Sequence, residues 1–347
     1  MHLVAFSTDR KILSGETPLQ IAYASHFDSY TIVVGSKGLR AAGRRTFAHN
    51  AQAIGLTWKV LFSREFWRIV KRTDIISSQD PFEAGLFALV IALLLRKPLH
   101  LQIHTDLFSA EFAQVHRGNF WRQKVARYVL ARAARIRVVS QKLKGKLVAT
   151  GVRVPVTVLP IFVDLSRFKD LARTKHPRFK INLLMLGRLE AEKRFEEGIQ
   201  ALALLRAHGH DAGLTIVGSG RQHAHLVAEA RKHKVDGFVE MVGQTSDVVP
   251  YLARAEVLLV PSAYEGYGLV IIEALASGVP VISTDVGIAK EMGAIIAPHE
   301  DFAATVLSWA SSGPRRGELH SYPYANQKEY VDAWVADVHA TAQPRSM

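Results

Sequence analysis

Apolar residues recur along the chain in short runs, and polar or turn residues separate one run from the next. Six runs rich in β-branched residues occur in the first half, near Leu3, Tyr30, Asp74, Leu99, Ile136 and Val156. Six more occur in the second half, near Asn182, Gly213, Val239, Glu256, Pro280 and Ala294. Runs of this length and composition predict buried strands. Because longer segments separate them, the pattern predicts an α/β fold with parallel sheets covered on both faces.

Several of the longer segments carry the pattern of helices. The candidates are residues 82–95, 121–135 and 141–149, the segment LVIIEALAS that begins at Leu269, and residues 326–341. The longest apolar run, residues 84–95, has twelve residues. A helix that spans a bilayer needs about 20, so we interpret this run as a buried helix.

A polar, proline-containing stretch at residues 164–180 separates the two halves. We therefore predict one Rossmann-like domain at residues 1–165 and a second at residues 166–321. A final helix within residues 322–347 is expected to pack back on the first domain. Ligands of open α/β sheets bind beyond the carboxyl ends of the strands, so the functional site is predicted there.

Composition adds two constraints. The chain has no cysteine, which excludes disulfides and thiolate chemistry and fits a reducing cytoplasmic compartment. The first residues, MHLVAFSTDRK, lack the basic leader and apolar core of a signal peptide. We expect a cytoplasmic protein.

The net charge of +13 is concentrated in one half of the chain. Residues 1–165 hold 24 basic and 10 acidic side chains, whereas residues 166–347 hold 20 and 21. This asymmetry predicts an anionic partner for the first half. Basic and aromatic residues are interleaved in two of its segments: Arg64, Phe66, Trp67, Arg68, Lys71 and Arg72, and Arg117, Phe120, Trp121, Arg122, Lys124, Arg127 and Arg132. Such segments favour an anionic membrane surface at the inner face of the cell membrane, with a solvated basic face as the alternative.

Two motifs follow strands of the second half. In GRLEAEKR, Arg188 and Lys193 place cations at the mouth of the next helix, where they and the helix amides favour phosphate oxygens. In AYEGYGLVIIEALASG, Glu265 and Glu273 stand in an apolar, glycine-containing stretch. Burying an ionised carboxylate without a partner is costly. The hydroxyls of a sugar ligand would satisfy both carboxylates, and ion pairs with Arg or Lys are the alternative.

The segment PSAYEGYGLVIIEALASGVPVIST resembles the signature of family 4 retaining glycosyltransferases of the GT-B fold. That fold has two Rossmann-like domains whose parallel sheets face across a cleft. The resemblance implies that Glu265 contacts the transferred sugar, that Glu273 binds the ribose, and that Arg188 and Lys193 bind the diphosphate. LTIVGSGRQHAHL and FVEMVGQTS also resemble the donor domain of that family, which implies further donor-binding positions at Gly187, Gly218, Gly243, Gly266, Tyr267, Gly268 and Leu269.

In the first half, SSQDPFEAG and LQIHTDLFS resemble the acceptor domain of the same family. The resemblance implies that His104 abuts the reacting sugar, where it would donate a hydrogen bond or stabilise charge. Asp80 and Asp106 are acceptor-side candidates, with helix capping as the alternative for each. Gly15 is the single glycine in the loop after the first strand, where the family often has two or more.

The implied reaction is metal-independent, retaining transfer of a hexose from a UDP- or GDP-linked sugar, without a cofactor. The expected acceptor is a glycan or glycolipid, lipid-linked or of the cell envelope, as in polysaccharide biosynthesis. A nucleotide-sugar epimerase of similar architecture and a non-catalytic anion-binding module stay open as alternatives. Nucleic acid is not expected, because carboxylates in a binding cleft repel a phosphate backbone.

Overall fold

The computed structural model describes residues 1–14, 18–35, 43–109, 112–113, 118–169 and 171–343. The chain divides into two compact units. The first unit comprises Met1–Phe162 and Tyr324–Met347, and the second comprises Val163–Pro323. The division falls at the start of the polar stretch around residues 164–180. Each unit is an α/β domain with its own sheet and core.

Eight strands of the first unit form one sheet among the described residues. They are β1 His2–Ser7, β2 Ser29–Val34, β3 Arg44–Ala48, β4 Ala51–Gly55, β5 Ile75–Ser78, β6 Leu99–Ile103, β7 Arg135–Val138 and β8 Val156–Val158. Their order is β3-β4-β2-β1-β5-β6-β7-β8. All pairs are parallel except β3 with β4, which is an antiparallel edge pair that the apolar pattern did not predict.

The described helices of the first unit connect these strands. They are α1 Lys11–Ser14, α2 Pro18–Ala24, α3 Trp58–Leu61, α4 Arg64–Arg72, α5 Glu83–Leu95, α6 Asn119–Leu130, α7 Gln141–Ala149 and, from the end of the chain, α14 Gln327–Thr341. Polar side chains begin several of them: Ser140 Oγ accepts from the amide of Leu143 at 3.1 Å, for example. The helix predicted at 121–135 is wrong at its end, because α6 stops at Leu130 and Arg135 already begins β7.

Helix α5 departs from its predicted environment. Gly85, Ala88, Leu89, Ile91 and Ala92 are buried against the sheet. The opposite side of the helix is exposed, although it is apolar as well. The prediction of a buried helix is therefore wrong for one of its faces.

Helix α14 joins the first unit through aromatic and polar contacts. Trp334 stacks on Tyr23 of α2 with ring centroids 4.0 Å apart. The buried carboxylate of Asp337 accepts a hydrogen bond from Nε2 of His100 in β6 at 3.0 Å and another from Nε of Arg135 at 2.5 Å. The last helix thus completes a domain that begins more than 200 residues earlier in the chain.

The second unit contains a six-stranded parallel sheet among the described residues, in the order β11-β10-β9-β12-β13-β14. Its strands are β9 Ile181–Leu186, β10 Ala212–Val217, β11 Val239–Gly243, β12 Val257–Val260, β13 Val281–Ser283 and β14 Ile295–Ile296. Its helices are α8 Phe195–Ala207, α9 His223–Lys232, α10 Val249–Arg254, α11 Leu269–Ala276, α12 Ala289–Met292 and α13 Phe302–Ser312. The sheet core includes Leu183, Ile216 and Leu259. All twelve strands expected from the apolar runs are present in the two sheets.

Candidate functional site

Three glycines mark the carboxyl ends of neighbouring strands in the second unit. The amide of Gly187, after β9, donates to the carbonyl of Val217 at 3.0 Å, and that of Gly218, after β10, donates to the carbonyl of Gly243 at 2.8 Å. Gly218 has a φ of +153°, and a Cβ added there would lie 1.8 Å from the carbonyl oxygen of Gly187. Only glycine fits such an approach. At these three positions the strand ends therefore carry no side chain.

The segment after β9 carries the two predicted cations. Leu189 is buried and anchors the segment, since its amide donates to the carbonyl of Ser219 at 2.9 Å. The side chain of Arg188 is 74% exposed, and its Nη2 lies 3.6 Å from Oε1 of Glu192. Lys193 ends the 3-10 turn Ala191–Lys193, just before α8. Arg188 is thus a cation at the surface, whereas Lys193 points toward the loop after β12.

The Glu265 carboxylate is engaged within the protein. Lys193 Nζ donates to Oε1 of Glu265 at 2.5 Å, and the Ser262 hydroxyl donates to the same oxygen at 2.8 Å. Both members of the ion pair are largely buried. The amide of Ala263 donates to the carbonyl of Glu192 at 2.8 Å, which fixes the two segments together. The alternative of an ion pair therefore holds for Glu265.

The Glu273 carboxylate differs from that of Glu265 in its contacts. It lies on α11 and is half-buried, and among the described residues no hydrogen bond or ion pair reaches it. Burial raises the pKa of its carboxyl, and the positive charge of Arg167 offsets part of this effect. A buried polar group without a partner calls for an explanation. Here the arrangement suits a ligand that brings hydrogen-bond donors.

The turn before α11 presents the amino end of that helix. Gly268 precedes the helix with a φ of +97°, and no described residue accepts from the amides of Leu269 and Val270. The turn is held from behind, since Tyr267 is buried and its carbonyl accepts from the amide of Ile288 at 3.0 Å. Gly266 is part-exposed between Glu265 and Tyr267. Free amides at a helix N-terminus attract anions such as phosphate.

Tyr264 connects the charged groups of this site, although the motifs did not single it out. Burial raises the pKa of its hydroxyl, as do the negative charges of Glu192 and Glu265, while the positive charge of Arg188 lowers it. Arg188 and Glu265 thus lie within electrostatic reach of one hydroxyl. Ser262 was missed as well, because a serine in an apolar segment carries no signal until its partner is known.

A second contact links the start of the second unit to the loop after β11. Arg167 Nη2 donates to Oδ1 of Asp247 at 2.8 Å, with both side chains exposed. The charge of Arg167 also reaches Glu273. The polar stretch that separates the two halves of the sequence therefore supplies a cation near the Glu273 carboxylate.

His104 follows β6 in the first unit and is half-buried. Its removal from water and the positive charge of Arg137 lower the pKa of the imidazole to about 3. Arg137 is itself held by Oε1 of Gln102 at 2.7 Å and by the Tyr330 hydroxyl at 3.0 Å. The imidazole is therefore neutral near pH 7, so that it serves as a hydrogen-bonding group and not as a cation.

The remaining first-unit candidates make local contacts. Oδ1 of Asp80 accepts from the amide of Phe82 at 2.8 Å, and burial raises the pKa of this carboxyl. Asp106 forms an ion pair with Lys146, and its Oδ1 accepts from the amide of Phe108 at 3.2 Å. Neither contact is the helix capping considered as the alternative, because each carboxylate binds an amide two residues ahead in a turn, and α5 begins without a side-chain cap. The acceptor role of both residues stays a prediction. Gly15 lies outside the described residues.

Two family models match the chain in succession. Residues 32–167 match a model described as Glycosyltransferase Family 4, and residues 180–312 match one described as Glycosyl transferases group 1. Among curated proteins, glycogen synthase of Mycobacterium tuberculosis is 28% identical over 289 residues, which cover 80% of this chain and 64% of that enzyme. A GDP-mannose-dependent alpha-(1-6)-phosphatidylinositol dimannoside mannosyltransferase of the same species is 36% identical over 130 residues, or 36% of this chain and 34% of the other.

Solved structures extend the likeness over the whole chain. HepE of Anabaena, crystallised with UDP, superposes with a TM-score of 0.67 at 17% identity, covering 99% of this chain and 98% of that one. A UDP-forming alpha,alpha-trehalose-phosphate synthase of Burkholderia xenovorans gives a TM-score of 0.70 at 16% identity, covering 99% and 100%. At such identities the likeness shows the fold alone.

Proposed function

Because this chain belongs to the family 4 glycosyltransferases of the GT-B fold, we propose that it transfers a sugar from a UDP- or GDP-linked donor to an acceptor hydroxyl. In this proposal the anomeric configuration is retained, and neither a metal nor a cofactor takes part. One observation carries the proposal more than any other. The Glu273 carboxylate is half-buried and has no hydrogen-bond or ion-pair partner among the described residues, on the helix whose amino end leaves amides free for an anion.

The donor would satisfy groups that the protein leaves open. Ribose hydroxyls would donate to Glu273, which recovers hydrogen bonds for a carboxylate whose charged form burial disfavours. The diphosphate would accept from the amides of Leu269 and Val270 and from the exposed guanidinium of Arg188. These contacts strengthen as negative charge develops on the leaving diphosphate.

The ion pair of Lys193 with Glu265 is compatible with donor binding. An ammonium group has three N–H donors, and Glu265 uses one of them. Lys193 would therefore hold Glu265 and a phosphate oxygen together, while the second oxygen of Glu265 accepts from a sugar hydroxyl. The pair sets the spacing between the transferred sugar and the diphosphate. Neutral His104 would supply a hydrogen bond to the sugar.

A panel of UDP- and GDP-linked sugars, incubated with and without acceptors, tests the reaction. We expect transfer only when an acceptor is present, with an α-linked product from an α-linked donor. Conversion of the donor to another nucleotide sugar without an acceptor would indicate an epimerase. Binding without turnover of any donor would indicate a non-catalytic module.

A donor-binding measurement tests the role of Glu273. Calorimetry with UDP and GDP should show binding about tenfold weaker in Glu273→Gln, since an amide is a weaker acceptor than a carboxylate. Glu229→Gln is the matched control, because Glu229 on α9 pairs only with its helix neighbours Lys232 and His233 among the described residues. Equal affinities in the two variants would contradict the assignment of Glu273.

We further propose that the acceptor is a lipid-linked or cell-envelope glycan at the inner membrane surface. The basic excess of the first half supports this, as does the likeness to a mannosyltransferase named for a phosphatidylinositol dimannoside. Among the described helices, none has both the length and the apolar composition to cross a bilayer. Sedimentation with anionic and neutral vesicles tests the idea, and equal, salt-independent recovery with both would remove it.

A further inference from the structure

Helix α5 presents an apolar side to the outside of the first unit. Leu86, Val90, Leu93 and Leu94 are between 37% and 67% exposed. Their spacing along the helix places them on one side, opposite the residues that pack on the sheet. A contiguous exposed aliphatic surface of this kind marks a site that contacts another protein or a membrane.

Helix α6 continues this surface. Arg122 of α6 donates two hydrogen bonds of 2.9 Å to the Glu83 carboxylate of α5, which joins the two helices. Phe120, Trp121 and Tyr128 of α6 are about half exposed or more. The ammonium of Lys124 lies 4.5 Å from the Phe120 ring centroid and 4.7 Å from that of Trp121. Exposed aromatic rings paired with cations are typical of side chains at a membrane interface.

The chain topology places a third cluster on the same side of the sheet. The connections from β4 to β5, from β5 to β6 and from β6 to β7 cross the sheet in one direction, so right-handed crossovers put α4, α5 and α6 on one face. Helix α14 packs with α2 on the other face. Exposed Trp58 and Phe62 stack with centroids 6.0 Å apart. Beside them is a hollow of about 580 Å³ lined by Phe62, Arg64, Trp67, Arg68, Lys71 and Arg72.

The charges on this face select its partner. Its cations include Arg64, Arg68, Lys71, Arg72, Arg96, Lys124, Arg127 and Arg132. The acidic residues Glu65 and Glu83 are already paired, with Arg44 and Arg122. Two copies of the chain placed face to face would bring cation against cation, whereas acidic headgroups would neutralise them.

We infer that the outer face of α5 and α6 inserts its apolar side chains into the acyl boundary of an anionic bilayer. Leu86, Val90, Leu93, Leu94, Phe120 and Trp121 form the inserted surface, which we call the α5–α6 face. The surrounding cations bind the headgroups. This inference rests on the proposed function only in that it names the surface which meets a lipid-linked acceptor.

Insertion differs from adsorption in its response to salt. Salt screens the attraction between cations and headgroups, while burial of aliphatic side chains does not weaken. The protein should therefore retain part of its binding to phosphatidylglycerol-containing vesicles at high salt. Leu94→Glu should weaken that retained binding about 30-fold, since burial of a leucine side chain contributes about 2 kcal/mol.

The matched control is Ile21→Glu. Ile21 is an exposed aliphatic residue of α2, on the opposite side of the sheet, and its substitution changes the net charge equally. It should leave high-salt binding unchanged. Equal high-salt binding by Leu94→Glu and Ile21→Glu would overturn the inference. So would a lipid-free dimer that Leu94→Glu disperses, because the face would then belong to a second copy.

A labelling experiment gives an independent reading. The chain has no cysteine, so Leu93→Cys and Ile21→Cys each accept one environment-sensitive fluorophore. With phosphatidylglycerol vesicles the emission of the first should shift to the blue and that of the second should not. Turnover of nucleotide sugars with a soluble acceptor is measured on the same samples. If the protein turns over its donor but the emission of the Leu93→Cys label does not shift, only the membrane insertion is refuted. If the emission shifts but no turnover occurs, only the proposed reaction is refuted.

Discussion

Replacing Asp337 by asparagine should loosen the C-terminal helix from the first unit. Asp337 is 4% exposed, and its carboxylate binds both His100 and Arg135. Although burial alone would raise the pKa of this carboxyl, hydrogen bonds and the charge of its partners lower it from 3.8 to about 2. That difference corresponds to about 2 kcal/mol of stability at neutral pH. The asparagine side chain also offers the partners His100 and Arg135 no charged acceptor. We therefore expect a total loss of about 2 to 3 kcal/mol in the free energy of unfolding.

Hydrogen exchange of peptides from α14 measures this loss locally, which matters because a chain of two units does not unfold in one step. Exchange should accelerate about 30-fold or more in Asp337→Asn. The matched control is Asp332→Asn on the same helix, whose pair with Lys328 is exposed to solvent and contributes little to stability. Equal acceleration in the two variants would refute the reasoning.

The dependence on pH provides a second check. A carboxyl whose pKa is lower in the folded state stabilises the protein above its ordinary pKa, and this contribution is lost as the pH falls through the folded value. The difference in unfolding temperature between the wild type and Asp337→Asn should therefore be largest at neutral pH and should shrink as the pH falls from about 4 to about 2. A difference that stays constant over that range would exclude the carboxylate charge as its source.

Three further predictions concern the candidate site. Glu273→Gln should raise the unfolding temperature of the ligand-free protein at neutral pH, because burial raises the pKa of the Glu273 carboxyl and disfavours its charged form; a lower unfolding temperature would show a hidden stabilising partner. Gly218→Ala should cost more than about 3 kcal/mol in urea unfolding, whereas Gly237→Ala, in open space, should be nearly neutral. His104→Gln should lower kcat without removing an inflection from the pH–rate profile near neutrality, since the imidazole pKa is about 3; loss of such an inflection would contradict a neutral His104.

The strands were predictable because a buried parallel strand is apolar throughout and short. The edge pair β3–β4 was not, because Arg44, Arg45 and Gln52 interrupt the pattern in a sheet edge that faces water. The exposed side of α5 could not be found either. A helix that is apolar all round has no periodicity to show which side meets the sheet, and the amount of protein around it decides what is covered.

The site residues were found through motifs, while their partners were not. Lys193 and Glu265 lie 72 positions apart, so their contact depends on the order of strands β9 and β12 in the sheet. The same holds for His100 and Asp337, which are 237 positions apart. By contrast, the half-buried position of Glu273 follows from its place on a short apolar helix beside a glycine turn. Local sequence thus predicts where a group lies, and sheet topology decides what it touches.

The return of α14 to the first unit has a consequence for synthesis on the ribosome. His100 leaves the ribosome long before Asp337 is made, and at ordinary translation rates the interval is roughly ten to fifty seconds. The second unit, Val163–Pro323, is synthesised within that interval, while the surface of the first unit that receives Trp334 stays uncovered. The sequence of the second unit is therefore complete before that of the first, and a chaperone that shields aromatic surface would act on the first unit.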